Sequence, residues 1–232
     1  MRDAVAHWSL PEPGDETAGA SAAERHRSLL SNQDTPALMD VPLADLLGPL
    51  EPVESTPVAN WRRGAAGERT TAQLLVPLSH VGWAVIHDRR IPGSGANVDH
   101  LVIGPTGVWV VDSKAYRGRI KVMGDGRLWY GRRCLDDVLR TALWAADTVE
   151  ALLGAGLVIA GVSVRPALCI HGAKVPGAPL SFDGVVLATP GTLLECLTAG
   201  DPTLADEDVD RLAAIGVETL PPAFRRQQGE ES

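Results

Sequence analysis

Two β-branched apolar runs, Val98 to Ile103 and Val108 to Asp112, are separated only by Gly104-Pro105-Thr106-Gly107, which has the composition of a four-residue hairpin loop. This reversal limits the possible folds because it sets a register. Ile103 stands opposite Val108, Leu101 opposite Val110, and Asp99 opposite Asp112. Side chains alternate faces along a strand, so Asp99, Leu101 and Ile103 share one face with Val108, Val110, Asp112 and Lys114. His100, Val102, Trp109 and Val111 fill the other. Both faces are mainly apolar, which predicts a central sheet covered on both sides. By the same parity His100 reads as a hydrogen-bonded core histidine.

Opposed residues have Cβ atoms about 4.5–5.5 Å apart, and like charges placed there repel. A shared proton, the Lys114 ammonium or a divalent cation bound by two hard oxygen ligands would each offset the repulsion. The plain alternative is a turn-capping Asp, an unrelated Asp and a solvated Lys.

Around the hairpin, apolar spacing predicts a helix over Arg62 to Leu78, with Ala65, Ala72, Leu75 and Leu78 inward and Glu68 in an early turn. A strand over Trp83 to His87 and a loop over Asp88 to Gly95 follow. Gly118 to Val122 and Arg127 to Tyr130 read as a second hairpin, and Asp136 to Leu153 as a long helix. Strands over Ala167 to His171 and Val185 to Ala188, then helices over Thr192 to Leu197 and Asp206 to Ile215, complete the expected order. The first sixty residues are rich in Pro, Ala and acids and read as a largely irregular extension, with two helical islands at Ala20 to Leu30 and Pro42 to Leu50. The expected division is an extension over 1–60, an α/β domain over 61–220 with the motifs in 61–153, and a mobile tail over 221–232.

Composition narrows the class. A chain of 232 residues with 45% hydrophobic side chains can bury one ordinary domain plus extensions. It has no long uncharged apolar run and no signal-like start, so the expectation is a cytoplasmic protein without a membrane partner. Cys134, Cys169 and Cys196 are odd in number and widely spaced, which argues against a zinc ribbon and predicts three buried thiols. The net charge of -8 is unevenly distributed: residues 1–60 hold 3 basic and 10 acidic side chains, 61–150 hold 13 and 9, and 151–232 hold 5 and 10. The positive segment carries the Asp99, Asp112 and Lys114 constellation, which favours a phosphate-facing centre between acidic flanks.

The ordered set Gly64-Ala65-Ala66-Gly67-Glu68, Val98-Asp99-His100, Gly104-Pro105-Thr106-Gly107, Asp112-Ser113-Lys114 and Gly118 resembles the nuclease-related domain (NERD) family, itself similar to the PD-(D/E)xK nucleases. The resemblance spans about residues 61 to 153. It implies an α/β fold of the restriction-endonuclease-like kind, a mixed β-sheet flanked by helices. It further implies a nuclease dependent on Mg2+ or Mn2+ that hydrolyses phosphodiester bonds in DNA, in DNA processing or repair. Asp99 and Asp112 would bind the metal, with the Ser113 main-chain carbonyl as a further ligand and Glu68 holding a metal-bound water. Lys114 would orient water or stabilise charge. Arg117, Arg119, Arg89 and Arg90, with Arg132 and Arg133, are candidates for phosphate contacts. Family members often carry a glutamine on the helix after the second hairpin, whereas this chain reads Asp136-Asp137-Val138-Leu139-Arg140-Thr141-Ala142, with Arg140 the only long polar candidate. The alternative is therefore a catalytically inactive module that binds nucleic acid or a protein partner, with the N-terminal extension available for a partner or self-association.

Overall fold

The structure is a computed structural model that describes residues 56–223. Most of the N-terminal extension and both of its expected helical islands lie outside those residues. Helix α1 (Thr56–Ser79) leads into a meander of β1 (Ala84–Arg90), β2 (Asn97–Gly104) and β3 (Gly107–Val122), followed by the short β4 (Leu128–Tyr130) and β5 (Arg133–Cys134). Helices α2 (Asp136–Leu153) and α3 (Ala155–Ala160) cross to β6 (Val164–Lys174), then β7 (Leu180–Phe182), β8 (Val185–Ala188), α4 (Leu193–Thr198) and α5 (Asp206–Thr219). The strand order is β1-β2-β3-β6-β8-β7, with β4 and β5 built onto the outer part of β3. β1, β2 and β3 are antiparallel, whereas β6 lies parallel to β3 and β8 parallel to β6. The sheet is thus mixed, as the resemblance implied, and residues beyond 153 complete it.

The hairpin register is the expected one: Ile103 pairs with Val108, Leu101 with Val110, and His100 with Val111. Its loop is tighter, since Gly104 and Gly107 also pair and leave only Pro105 and Thr106 in the turn. Gly104 is required by close approach, because a Cβ there would lie 1.9 Å from Cδ2 of Trp83. One face, with Leu101, Ile103, Val108 and Val110, packs under α2 and α5 through Val149, Leu153, Val209 and Leu212. The opposite face, with Val102, Trp109 and Val111, packs on Leu75 and Leu78 of α1 and on Leu193 and Leu197 of α4. Burying both faces is what made both strand parities apolar.

Several boundaries differ from expectation for identifiable reasons. The second hairpin is not separate: β3 runs on through Val122, with a bulge between Ala115 and Gly118 against β6. Gly118 reads as a break, but it absorbs the bulge at φ 93°. The loop predicted from Asp88 begins three residues later, because β1 extends to Arg90. The short β7 and α3 carry too few residues to show a period. Only Cys169 is buried; Cys134 and Cys196 are partly exposed, and all three are free thiols. The tail expected from residue 221 is still part of the domain at its start: the Arg90 N–H donates to the Pro221 carbonyl and the Ala223 N–H to the Asp88 carbonyl. Among the described residues no helix is long and apolar enough to cross a membrane.

Candidate active site

Strand parity carries Asp99 of β2 and Asp112 and Lys114 of β3 to the same side of the sheet, where all three line a cleft of about 710 Å3. Glu68 of α1 joins them in that cleft, as does Ser113. Helix α1 covers the opposite face through Leu75 and Leu78, while Glu68, earlier in the same helix, lines the cleft near enough to Asp99 for its charge to be felt there. The other wall is α2, whose Thr141, Ala142, Trp144 and Ala145 face the cleft.

The ladder between β2 and β3 ends at the His100–Val111 pair, and one step further the Asp99 carboxylate takes over a backbone role. Its Oδ2 accepts a hydrogen bond of 2.8 Å from the Ser113 N–H. Burial, then the neighbouring charges of Asp112 and Glu68, hold the Asp99 carboxyl well above the usual carboxylate range, against the opposing pull of Lys114 and of the Ser113 amide. Lys114 Nζ donates to Asp112 Oδ1 at 2.7 Å and lies 2.5 Å from Oδ2. Burial would push this ammonium down, but Asp112 and Asp99 outweigh it and raise its affinity for its proton. The group is therefore a fixed positive charge with no capacity to act as a base at neutral pH.

Behind the strand a polar chain passes through the apolar layer. Ser113 Oγ donates to Thr71 Oγ1 at 2.8 Å, and Thr71 Oγ1 lies 2.8 Å from His171 Nε2. Ser113 Oγ is also 3.4 Å from His100 Nε2, while His100 Nδ1 is 2.8 Å from His87 Nδ1. His100 is fully buried, and burial followed by the charges His87 and His171 would carry holds its pKa well below the ordinary histidine value. The expected core histidine is found, and its partners anchor the residue whose amide holds Asp99.

The structure thus brings together Glu68, Asp99, Asp112, Ser113 and Lys114, and places Arg117 and Arg133 at the same cleft. Arg119 and Arg132 line an adjoining groove. Arg89 and Arg90 are elsewhere: the Arg89 guanidinium donates to the Val217 carbonyl at 3.0 Å, Arg90 is exposed, and neither lines the cleft. Arg140 does not take the place of the absent glutamine, since it is exposed on α2 and ion-paired with Asp137. Asp88 was missed in the sequence. It falls opposite Asp99 between the His87–His100 and Arg89–Val98 pairs, lines the cleft, is 5% exposed and has φ 47°, a conformation Asp tolerates. Extending β1 by three residues would have revealed it. Trp144 lies off the apolar face of its helix and carries no motif to mark it in the sequence; it stands 43% exposed at the cleft.

The donor set suits a hard divalent cation in kind, being carboxylate oxygens with excess negative charge around Asp99. Among the described residues, however, no group of three or more His, Cys, Asp or Glu is arranged to hold an ion by itself. Any ion would need main-chain, water or substrate oxygens besides Asp99 and Asp112.

Residues 63–171 match the family model described as nuclease-related domain, NERD. An uncharacterized protein of Bacillus anthracis is 34% identical over 86 residues, 36% of this chain and 40% of that protein's length. The match therefore spans less than half of that relative. No solved structure matches the chain.

Proposed function

We propose, from the premise that this chain belongs to the nuclease-related domain family through residues 63–171, that it is a metal-dependent nuclease hydrolysing phosphodiester bonds in DNA. The observation that carries the reading is the convergence of Asp99, Asp112, Glu68 and Lys114 in one cleft. Asp99 and Asp112 would hold Mg2+ or Mn2+, with the Ser113 carbonyl as a further ligand. Such an ion supplies charge neutralisation at the phosphoryl oxygens and lowers the pKa of a bound water. Glu68 orients a water at the cleft margin. Lys114, held protonated by Asp112, places fixed positive charge where the transition state gains negative charge. Ser113 keeps the Asp99 carboxylate in one orientation through its amide.

The test is plasmid and single-stranded DNA incubated with the protein and Mg2+ or Mn2+, beside Asp112→Ala and Lys114→Ala. Cleavage by the wild type, reduced at least about a hundredfold by either change, is expected from the loss of one transition-state charge partner. No cleavage by the wild type, or cleavage indifferent to both changes, overturns the reading. Lys114→Met is expected to retain Mn2+ binding by titration calorimetry while losing turnover, because the lysine is assigned no coordinating role. A second reading, a module that binds nucleic acid without cutting it, is favoured by one observation: α2 presents Thr141 and Ala142 to the cleft where the resemblance implies a glutamine.

A further inference from the structure

At the bulge and past it, the outer half of β3 lines with Arg117, Arg119 and Lys121 a groove that opens beside the cleft. Alternate residues on a strand repeat every roughly 6.7 Å, about the reach of one nucleotide in a stretched backbone. Arg132 of the β4–β5 turn and Arg133 of β5 add to the same groove, and among the described residues no carboxylate lines it. All five cations are exposed. Two aromatic rings lie between them in fixed positions. Trp129 is held by its Nε1–H to Asp125, and Tyr130 accepts the Arg117 N–H at 3.1 Å and packs on Tyr116 at 4.6 Å between ring centroids. Arg117, Tyr130 and Arg133 line both hollows, so groove and cleft are continuous.

We infer that this groove is the entry track for one strand of nucleic acid, with phosphates on Arg117, Arg119, Lys121 and Arg132 and an unpaired base against Trp144 at the cleft. The inference rests on the phosphodiester reading for its direction, and it names the substrate class of that site. Interleaved cations and aromatic rings are the composition that binds single strands, because every base has a stacking face and every nucleotide a charge. The carboxylates line a recessed cleft between α1 and α2 rather than an open face. A single strand can turn into that cleft without carrying a paired strand with it. An acidic protein would satisfy the arginines but would not use an exposed indole at the catalytic margin.

The experiment is fluorescence anisotropy with the full chain in EDTA, where no turnover occurs. The probes are a labelled 15-residue mixed-sequence oligodeoxynucleotide, the same sequence as a blunt duplex, and labelled polyglutamate. The single strand is expected to bind tightest. Each of Arg119→Ala and Lys121→Ala should lower the slope of log affinity against log salt by roughly 0.7. Trp144→Ala should weaken single-strand binding at least about fivefold, with Trp144→Phe recovering most of it. These side chains are exposed, and circular dichroism melts check that each variant folds. Duplex binding as tight as single-strand binding overturns the inference, as do unchanged salt slopes. Polyglutamate binding equal to that of the oligonucleotide, with Trp144→Ala silent, overturns it in favour of an acidic protein partner. Strand binding without cleavage removes the hydrolytic reading alone, whereas cleavage without strand preference removes this inference alone.

Discussion

Asp99 is buried beside two other acids, and burial and their charges oppose its ionised form more than the Lys114 charge and the Ser113 amide favour it. Its native pKa lies above its unfolded value. Below about pH 3.8 both states are protonated and nothing is lost; above it the unfolded chain ionises first, so stability falls with rising pH until the native pKa is passed, and the deficit then persists. Asp99→Asn, which keeps an acceptor for the Ser113 amide, is accordingly expected to raise the melting temperature at pH 7 in EDTA and to leave it unchanged near pH 3. Thermal melts at the two pH values check this, and an Asn variant that melts lower at pH 7 contradicts it. Thr71, fully buried, is the hinge of the polar chain, contacting both Ser113 and His171. Thr71→Val should cost about 1–3 kcal/mol in urea unfolding, since it removes a hydrogen-bond partner from buried Ser113 and from half-buried His171. These residues show what sequence parity does and does not reveal. The period of two placed Asp99, Asp112 and Lys114 on one side and His100 on the other, but nothing in the spacing connects Thr71 or His171 with Ser113, because that contact is made by packing a helix across the sheet.

At the scale of elements, the β2–β3 hairpin carries the register and Gly104 carries the hairpin. Gly104→Ala would drive a methyl into the Trp83 ring and is expected to destabilise the domain by about 1–3 kcal/mol, measured by urea denaturation. A neutral result would mean that Trp83 can move, and with it the wall of the second core layer. Helix α2 was legible to the residue over Asp136–Leu153, because a long amphipathic period with acids in its first turn leaves little freedom. The outer half of β3 was not legible as a continuation of the strand. In sequence Gly118 to Val122 reads as the first strand of a separate hairpin, and only the parallel pairing with β6 shows one strand that bends and goes on. For the same reason the basic groove could not be assembled beforehand: its cations come from β3, from the β4–β5 turn and from β5.

At the scale of the whole molecule, the C-terminal segment closes the edge of the sheet. Leu220 is fully buried in the layer beneath α2 and α5, and Pro221 and Ala223 hydrogen-bond to β1 at Arg90 and Asp88. Leu220→Ala should therefore cost about 2–5 kcal/mol by chemical denaturation, far more than a residue of a loose tail would. The family match ends at residue 171, yet β8, α4 and α5 are integral to both apolar layers, so the folding unit is longer than the recognisable motif. The strand-like runs at Ala167 to His171 and Val185 to Ala188 favour later residues finishing the sheet without deciding it, and nothing in the sequence shows where the last of them docks. The parallel seam between Val108 and Val164 has a further consequence for how the chain reaches its native state. The hairpin bearing Asp99 and Asp112 forms by local closure, while the strand that braces it must return across α2 and α3, an entropic delay that makes refolding slow for a chain this size. A newly synthesised chain therefore carries Asp99 and Asp112 on a formed hairpin before it has a rigid frame to orient them.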